Sequence, residues 1–261
     1  MNKLLQTGYL KTTLKEELSF SNSSEKYIYD SIKKEYENPF IIKNRENLRL
    51  ILIATYTIRN FKVVKKLIDE LKNVDFHNGS NIIESPPGHE GGTFLNIACT
   101  SNNFKLHQEL YNQFETRFQT QTWYENVIDE DNSVVYSPFK QIVEKIIKKY
   151  YNISKENINI AQIRETYYNI GNHIIPHEDG TNEKRLCVIL MYLSNNYEDG
   201  MGGEFNILDN EIQNIPPIDT IKPNFGNIAV LDFTKNNKSH SVNKVLKDYG
   251  RNALITFVNK K

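Results

Sequence analysis

Residues 168–180 read Tyr-Asn-Ile-Gly-Asn-His-Ile-Ile-Pro-His-Glu-Asp-Gly, which places His177 and Asp179 two apart. In an extended chain, residues two apart face the same side. The His177 imidazole and the Asp179 carboxylate therefore point together, and Glu178 points away. One imidazole and one carboxylate are two corners of a 2-His-1-carboxylate triad, which leaves three metal positions open and suits non-haem Fe(II). The third corner must come from another strand. Only one His lies downstream, His240 in Lys-Ser-His-Ser-Val, and Arg251 follows eleven residues later at the head of Arg-Asn-Ala-Leu-Ile-Thr-Phe-Val. An arginine directed into an apolar interior needs an anion, because an unpaired buried charge is costly. A ligand carboxylate would meet that need bidentately. Taken singly, His-x-Asp, one loop histidine or one arginine arises often by chance; the ordered set is far more specific.

The runs around this stretch set the expected fold. Ile158–Asn169 reads as extended. His173–Asp179, Leu186–Leu193, Gly203–Leu208, Asn227–Phe233, Ser239–Val245 and Asn252–Val258 are short apolar or alternating runs separated by Gly, Asn, Asp and Pro. Such a series favours an antiparallel sandwich or barrel over βαβ units. Upstream, Ile51–Ile58 reads as a strand. Asn60 reads as the cap of a helix carrying Val63, Val64, Leu67, Ile68 and Leu71. Asp75–Gly92, with Pro86, Pro87, Gly88, Gly91 and Gly92, reads as a loop. Asn103–Phe118 reads as helical. Ser137 and Pro138 read as the start of a helix with Phe139, Val143, Ile146, Ile147 and Tyr150 on its apolar stripe. The layout is a mainly helical N-terminal part supporting a β-rich C-terminal part. Residues 1–45 form an N-terminal extension, and 46–261 form one domain with its motif-bearing β core at 158–259.

Composition narrows the function classes. The 261 residues carry 32 basic and 32 acidic side chains, so a nucleic-acid binder working by bulk charge is disfavoured. Cys99 and Cys187 are too few for a disulfide framework and lack zinc-site spacing. The start does not read as a signal peptide. No apolar run approaches the roughly 20 residues that span a bilayer. The expected location is the cytoplasm.

The C-terminal half resembles the prolyl 4-hydroxylase-type Fe(II)/2-oxoglutarate-dependent dioxygenases. The residues that carry the resemblance are Tyr168, Gly171, His177, Asp179, Arg185, Tyr192-Leu193, Gly202-Gly203-Glu204, Pro223 to Gly226, His240 and Arg251. It implies an α+β protein with a mainly β core, a double-stranded β-helix (jelly roll, cupin-like) with supporting N-terminal helices. It implies that His177, Asp179 and His240 hold iron. Arg251 would pair with the distal carboxylate of 2-oxoglutarate, Tyr192 would donate to that carboxylate, and Tyr168 would line the cosubstrate side. Arg185, His173 and Tyr167 are candidates for the substrate side; a salt bridge or core packing accounts for each equally simply. His173 is included because four residues before His177 is the same face of a regular strand. Ile175, Val188, Leu190 and Ile255 are candidate apolar walls. His77, His89 and His107 read as surface or packing residues.

The implied cofactors are Fe(II), 2-oxoglutarate and O2, with ascorbate as a candidate reductant. The implied reaction is hydroxylation of an unactivated C–H bond with release of succinate and CO2. Related halogenases lack the carboxylate that Asp179 supplies here. The resemblance puts a prolyl residue of a protein or peptide first as substrate. A free amino acid or another small metabolite comes second. A cupin-type metal protein without 2-oxoglutarate, and a non-enzymatic sandwich, come behind. Neither a nucleic-acid partner nor a membrane is expected, and the sequence does not specify an oligomeric state.

Overall fold

The computed structural model describes residues 3–18, 23–35, 49–57, 81–88, 92–100, 119–179, 183–209, 216–235 and 237–261. Fourteen strands run through these residues, and the alternation of side chains along them builds two cores. In β9 (Arg185–Tyr192), Ile189 and Met191 face one side and Val188, Leu190 and Tyr192 the other. β12 (Asn227–Asp232) splits Ile228 and Val230 from Ala229 and Leu231 in the same way. β14 (Arg251–Lys260) splits Leu254 and Val258 from Ala253, Ile255 and Phe257. Strands buried on both faces read as continuous apolar runs, which is how residues 186–193 read.

The first face is covered by helices. These are α1 (Lys3–Thr7), α2 (Leu14–Glu17), α3 (Ser23–Glu35) and α4 (Tyr136–Tyr151). α4 buries Phe139, Ile142, Val143, Ile146 and Ile147, a stripe at helical spacing, against that face. It begins at Tyr136, two residues earlier than a Ser137 cap and Pro138 start suggest, and its cap Val135 makes no side-chain bond. Pro138 is tolerated because amides of the first turn have no intrahelical partner.

The second face looks onto a smaller sheet. The large sheet has the order β1-β12-β9-β14-β7-β5-β2-β4-β3, with β6 (Ile158–Ile160) on β14, and the small sheet β11-β10-β13-β8. The small-sheet strands are β8 (Ile174–His177), β10 (Phe205–Leu208), β11 (Asp219–Ile221) and β13 (Ser239–Val242). The pairings between these strands are antiparallel, and the two sheets form a double-stranded β-helix with helices on its outer face.

Strands occur well before residue 158, unlike the mainly helical N-terminal part expected. β1 (Tyr9–Thr13) pairs with β12 through Tyr9–Leu231 and Thr13–Asn227. β2 (Arg49–Thr57) matches the expected strand. β3 (Asn81–Gly88) and the first residue of β4 (Gly92–Thr100) fall within the expected loop at 75–92, whose other residues lie outside the described ones. Pro86 and Pro87 are compatible with β3 because it is an edge strand, where a missing N–H costs no ladder bond. The register slips between Ser85 and Gly88 at those prolines. β5 (Gln119–Ile128) joins this group to β7 (Ile163–Tyr168). The expected helices after Asn60 and at Asn103–Phe118, and His77, His89 and His107, lie outside the described residues.

The N-terminal segment is latched to α4 by Glu17, whose side chain is almost fully buried. It accepts hydrogen bonds from Thr12 Oγ1 (2.9 Å), Tyr150 Oη (2.8 Å) and Lys149 Nζ (3.0 Å to Oε2). Glu17→Ala leaves these donors without their shared acceptor and is expected to cost about 2 kcal/mol. Lys149→Ala should cost less, because the lysine side chain is 48% exposed and its charge is screened. Urea unfolding of both variants checks this, and equal losses would contradict the latch.

Candidate metal centre and active site

The site lies between the two sheets. His177 closes β8 and sits directly opposite His240 of β13. Their rings are 4.2 Å apart between centroids. Asp179, just past the strand, places Oδ1 3.8 Å from His177 Nε2 and Oδ2 3.6 Å from His240 Nε2. One donor atom from each of the three lies within 4.8 Å of the others, the one such group found among the described residues. Each imidazole is oriented by a backbone carbonyl. His177 Nδ1 meets Ile175 O at 2.9 Å, and His240 Nδ1 meets Lys238 O at 3.3 Å. With Nδ1–H donating, Nε2 of both rings carries its lone pair toward the centre. Burial, then the neighbouring His177, pushes the His240 pKa down to about 4, against the pull of Asp179. The ring is neutral near pH 7, as a metal ligand must be.

Arg251 opens β14 beside Tyr168 of β7 and is 2% exposed. Its Nε donates to Gly203 O at 2.6 Å, and its guanidinium carbon lies 3.9 Å from the Tyr168 ring centroid. The Tyr192 ring is next to it at 5.4 Å, and the buried Tyr192 hydroxyl has no hydrogen-bond partner among the described residues. Burial raises the Tyr168 and Tyr192 pKa values, Tyr192 to about 12, although the arginine charge pulls both down. Both phenols stay protonated, so each keeps a donor.

One glycine, Gly203, makes room for this arginine. Gly203 has φ +83°, and a Cβ there would strike the Tyr249 hydroxyl and come within 2.7 Å of Arg251 Cδ. Gly200 has φ +85° but open space around it. Gly200→Ala is expected to cost only left-handed strain, about 1 kcal/mol. Gly203→Ala should cost about twice that or more, because overpacking adds to the strain, and should also displace Arg251. Urea midpoints of the two variants separate these contributions.

A cavity of about 260 Å³ holds the three-donor group and Arg251 together. Residues 163–258 match the model described as the 2OG-Fe(II) oxygenase superfamily. Over this segment the chain is similar to that superfamily. Oxygenases of this superfamily use Fe(II), 2-oxoglutarate and O2, and the matched segment holds His177, Asp179, His240 and Arg251. Among solved structures, the chain is similar to a viral collagen prolyl hydroxylase from Paramecium Bursaria Chlorella virus-1 in its 2OG complex. That pair has 14% identity and a TM-score of 0.43, over 53% of this chain and 80% of that one. A Pseudomonas putida prolyl-4-hydroxylase has 13% identity and a TM-score of 0.43, over 80% and 92%. A Trichoplax adhaerens prolyl hydroxylase, in complex with a hypoxia inducible factor peptide fragment, has 13% identity and a TM-score of 0.42, over 90% and 92%. No curated protein matches the chain in sequence.

The site fits both an iron ion and 2-oxoglutarate by its own chemistry. Two imidazoles and one carboxylate converge as a non-haem iron site requires. A buried guanidinium beside a buried hydroxyl without a partner suits a carboxylate, which would satisfy both.

The other expected residues are placed unevenly. Val188, Leu190 and Ile255 line the cavity, as does Tyr168. Ile175 and His173 do not; Ile174 does. The reason is a bulge: His240 pairs with His177, but Val242 pairs with Ile174, so β8 carries one extra residue. One inserted residue reverses which side chains face in. His173 instead meets Gly171 O through Nδ1 at 3.0 Å. Tyr167 faces away from the cavity, beside Glu165 and Asn252. Arg185 lies over the Phe257 ring, 4.5 Å from its centroid, and Phe257 walls the cavity. The arginine therefore stands one layer behind the wall. Trp123 and Glu125 of β5 and Arg164 and Thr166 of β7 also line the cavity and were not anticipated. Arg164, Thr166 and Tyr168 are two apart, so the expectation for Tyr168 already implied the other two by strand parity.

Proposed function

We propose that the chain is an Fe(II)- and 2-oxoglutarate-dependent hydroxylase of an unactivated C–H bond. The observation that carries this is the convergence of His177, Asp179 and His240 on one cavity with Arg251. In this reading His177, Asp179 and His240 bind the iron. Arg251 and Tyr192 hold the distal carboxylate of 2-oxoglutarate, and Tyr168 supports the guanidinium with its ring face. Val188, Leu190, Ile255 and Phe257 keep water from the reacting centre. The chemistry supplied when iron and cosubstrate are bound is activation of O2, with release of succinate and CO2.

A prolyl residue of a protein or peptide is the first substrate reading, and the sequence resemblance supports it. A free amino acid is the second, and the charged pair Glu125–Arg164 in the cavity wall favours it. Ascorbate is the proposed reductant that keeps iron ferrous. Residues 1–45 are proposed as an extension packed on a dioxygenase domain at 46–261, supported by the β1–β12 pairing. A cytoplasmic, reducing setting agrees with the buried free thiol of Cys187. No helix among the described residues is long and apolar enough to cross a membrane.

The test is anaerobic addition of Fe(II) and 2-oxoglutarate, followed by air. A weak visible charge-transfer band and succinate formation are expected. No band and no succinate would refute the assignment.

A further inference from the structure

We propose that Glu125 and Arg164 are the docking pair for a free α-amino acid, with Arg164 taking the α-carboxylate and Glu125 the α-ammonium. The inference rests on the oxygenase reading above and names the substrate class of that site.

Both side chains line the same cavity as the iron-binding group. β5, which carries Glu125, runs beside β8, which carries His177. Glu125 is 6% exposed, and Trp123, Leu190, Ile255 and Phe257 share its chamber. A carboxylate in such surroundings is costly unless well paired. Its pairing is poor. Arg164 Nη1 reaches Oε2 at 3.5 Å, in a single contact. Good charge-assisted bonds to a carboxylate run at about 2.7–2.9 Å and are often bidentate. Neither side chain makes another hydrogen bond among the side chains the structure describes. The arginine fork and the carboxylate both keep unused capacity directed at the cavity.

Opposite charges side by side match a ligand that carries opposite charges one carbon apart. A free α-amino acid placed between them replaces one long contact with two charge-assisted ones. A residue inside a peptide offers neutral amides and cannot do this. A dicarboxylate would set an anion against Glu125. The two arginines do not compete for one carboxylate. Arg164 and Tyr168, the neighbour of Arg251, are four residues apart on β7, roughly 13 Å along a strand. The cosubstrate anion thus belongs to one end of the cavity and the substrate anion to the other.

The experiment uses the full chain loaded with Fe(II) and 2-oxoglutarate. Succinate is measured with each of the standard free L-amino acids, with their N-acetyl and C-amide forms, and with capped proline peptides. At least one free amino acid should stimulate succinate formation, and capping either end should reduce kcat/KM by at least about tenfold. Arg164→Lys should keep part of the preference for the free carboxylate over the amide, and Arg164→Gln should abolish it. This ratio is read on whatever activity remains, so partial loss of folding does not mimic the result. If no free amino acid stimulates, or if capped substrates do as well, the docking pair is refuted. A charge-transfer band in that case leaves the oxygenase reading standing; absence of both band and succinate refutes the oxygenase reading itself.

Discussion

His177→Ala is expected to abolish iron-dependent succinate formation, with turnover down on the order of a thousandfold or more. The substitution leaves Asp179 and His240 as the two remaining donors of the group. Two ligands neither fix the geometry of the ion nor hold it against loss to solvent. The fold should be spared. The His177 side chain is 31% exposed, and its one hydrogen bond holds the ring to Ile175 O. Metal-free thermal stability should therefore change little, within about 0.5 kcal/mol, while iron retained after anaerobic loading and desalting falls sharply. His240→Ala should remove iron as well but also destabilise the metal-free protein. That ring is buried and packs 5.3 Å from Phe205 and 4.2 Å from His177 between centroids. Full iron retention by His177→Ala would disprove the ligand assignment.

Arg251→Ala is expected to weaken 2-oxoglutarate binding by about a hundredfold or more, since losing one partner of a buried charge pair costs about 2–5 kcal/mol. The proposed iron ligands lie on the other sheet or just past its strand end, so Fe(II) binding without cosubstrate should persist. Arg251→Lys should restore only part of the affinity. Lysine has no Nε to donate to Gly203 O and no planar face for Tyr168. Titration of 2-oxoglutarate at fixed Fe(II), followed by the charge-transfer band, measures both variants. Unchanged affinity in Arg251→Ala would remove the assigned role.

What was legible in the sequence is what depends on order and strand parity. His177 and Asp179 share a face by their spacing, and His240 was the sole downstream imidazole. The structure brings all three together with Arg251. What was not legible depends on departures from regularity and on pairing at long range. The extra residue in β8 sends His173 away and Ile174 in, and no local composition announces it. β3 was hidden by its prolines, which an edge position tolerates. Tyr9–Thr13 carries one strong apolar residue, Leu10, and becomes a strand only because β12 offers it an edge. Glu125 and Arg164 were missed because charged residues in a strand read as solvent-facing. Trp123 and Glu125 two apart, and Arg164, Thr166 and Tyr168 two apart, were the available signal.

The edge contributed by β1 has a practical consequence. The stretch that matches the superfamily, 163–258, leaves out strands and helices that pack on it. Cut out alone, it would leave β12 without β1 and β7 without β5, two rows of unpaired amides open to intermolecular pairing. It would also uncover Ile189, Met191, Ile228, Val230 and Leu254, which the helices now shield. Such a fragment is expected to sediment as aggregate, whereas the full chain stays in the supernatant, and centrifugation of the two side by side checks this. The segment by which the enzyme is recognised and the length of chain that makes it self-sufficient are different quantities.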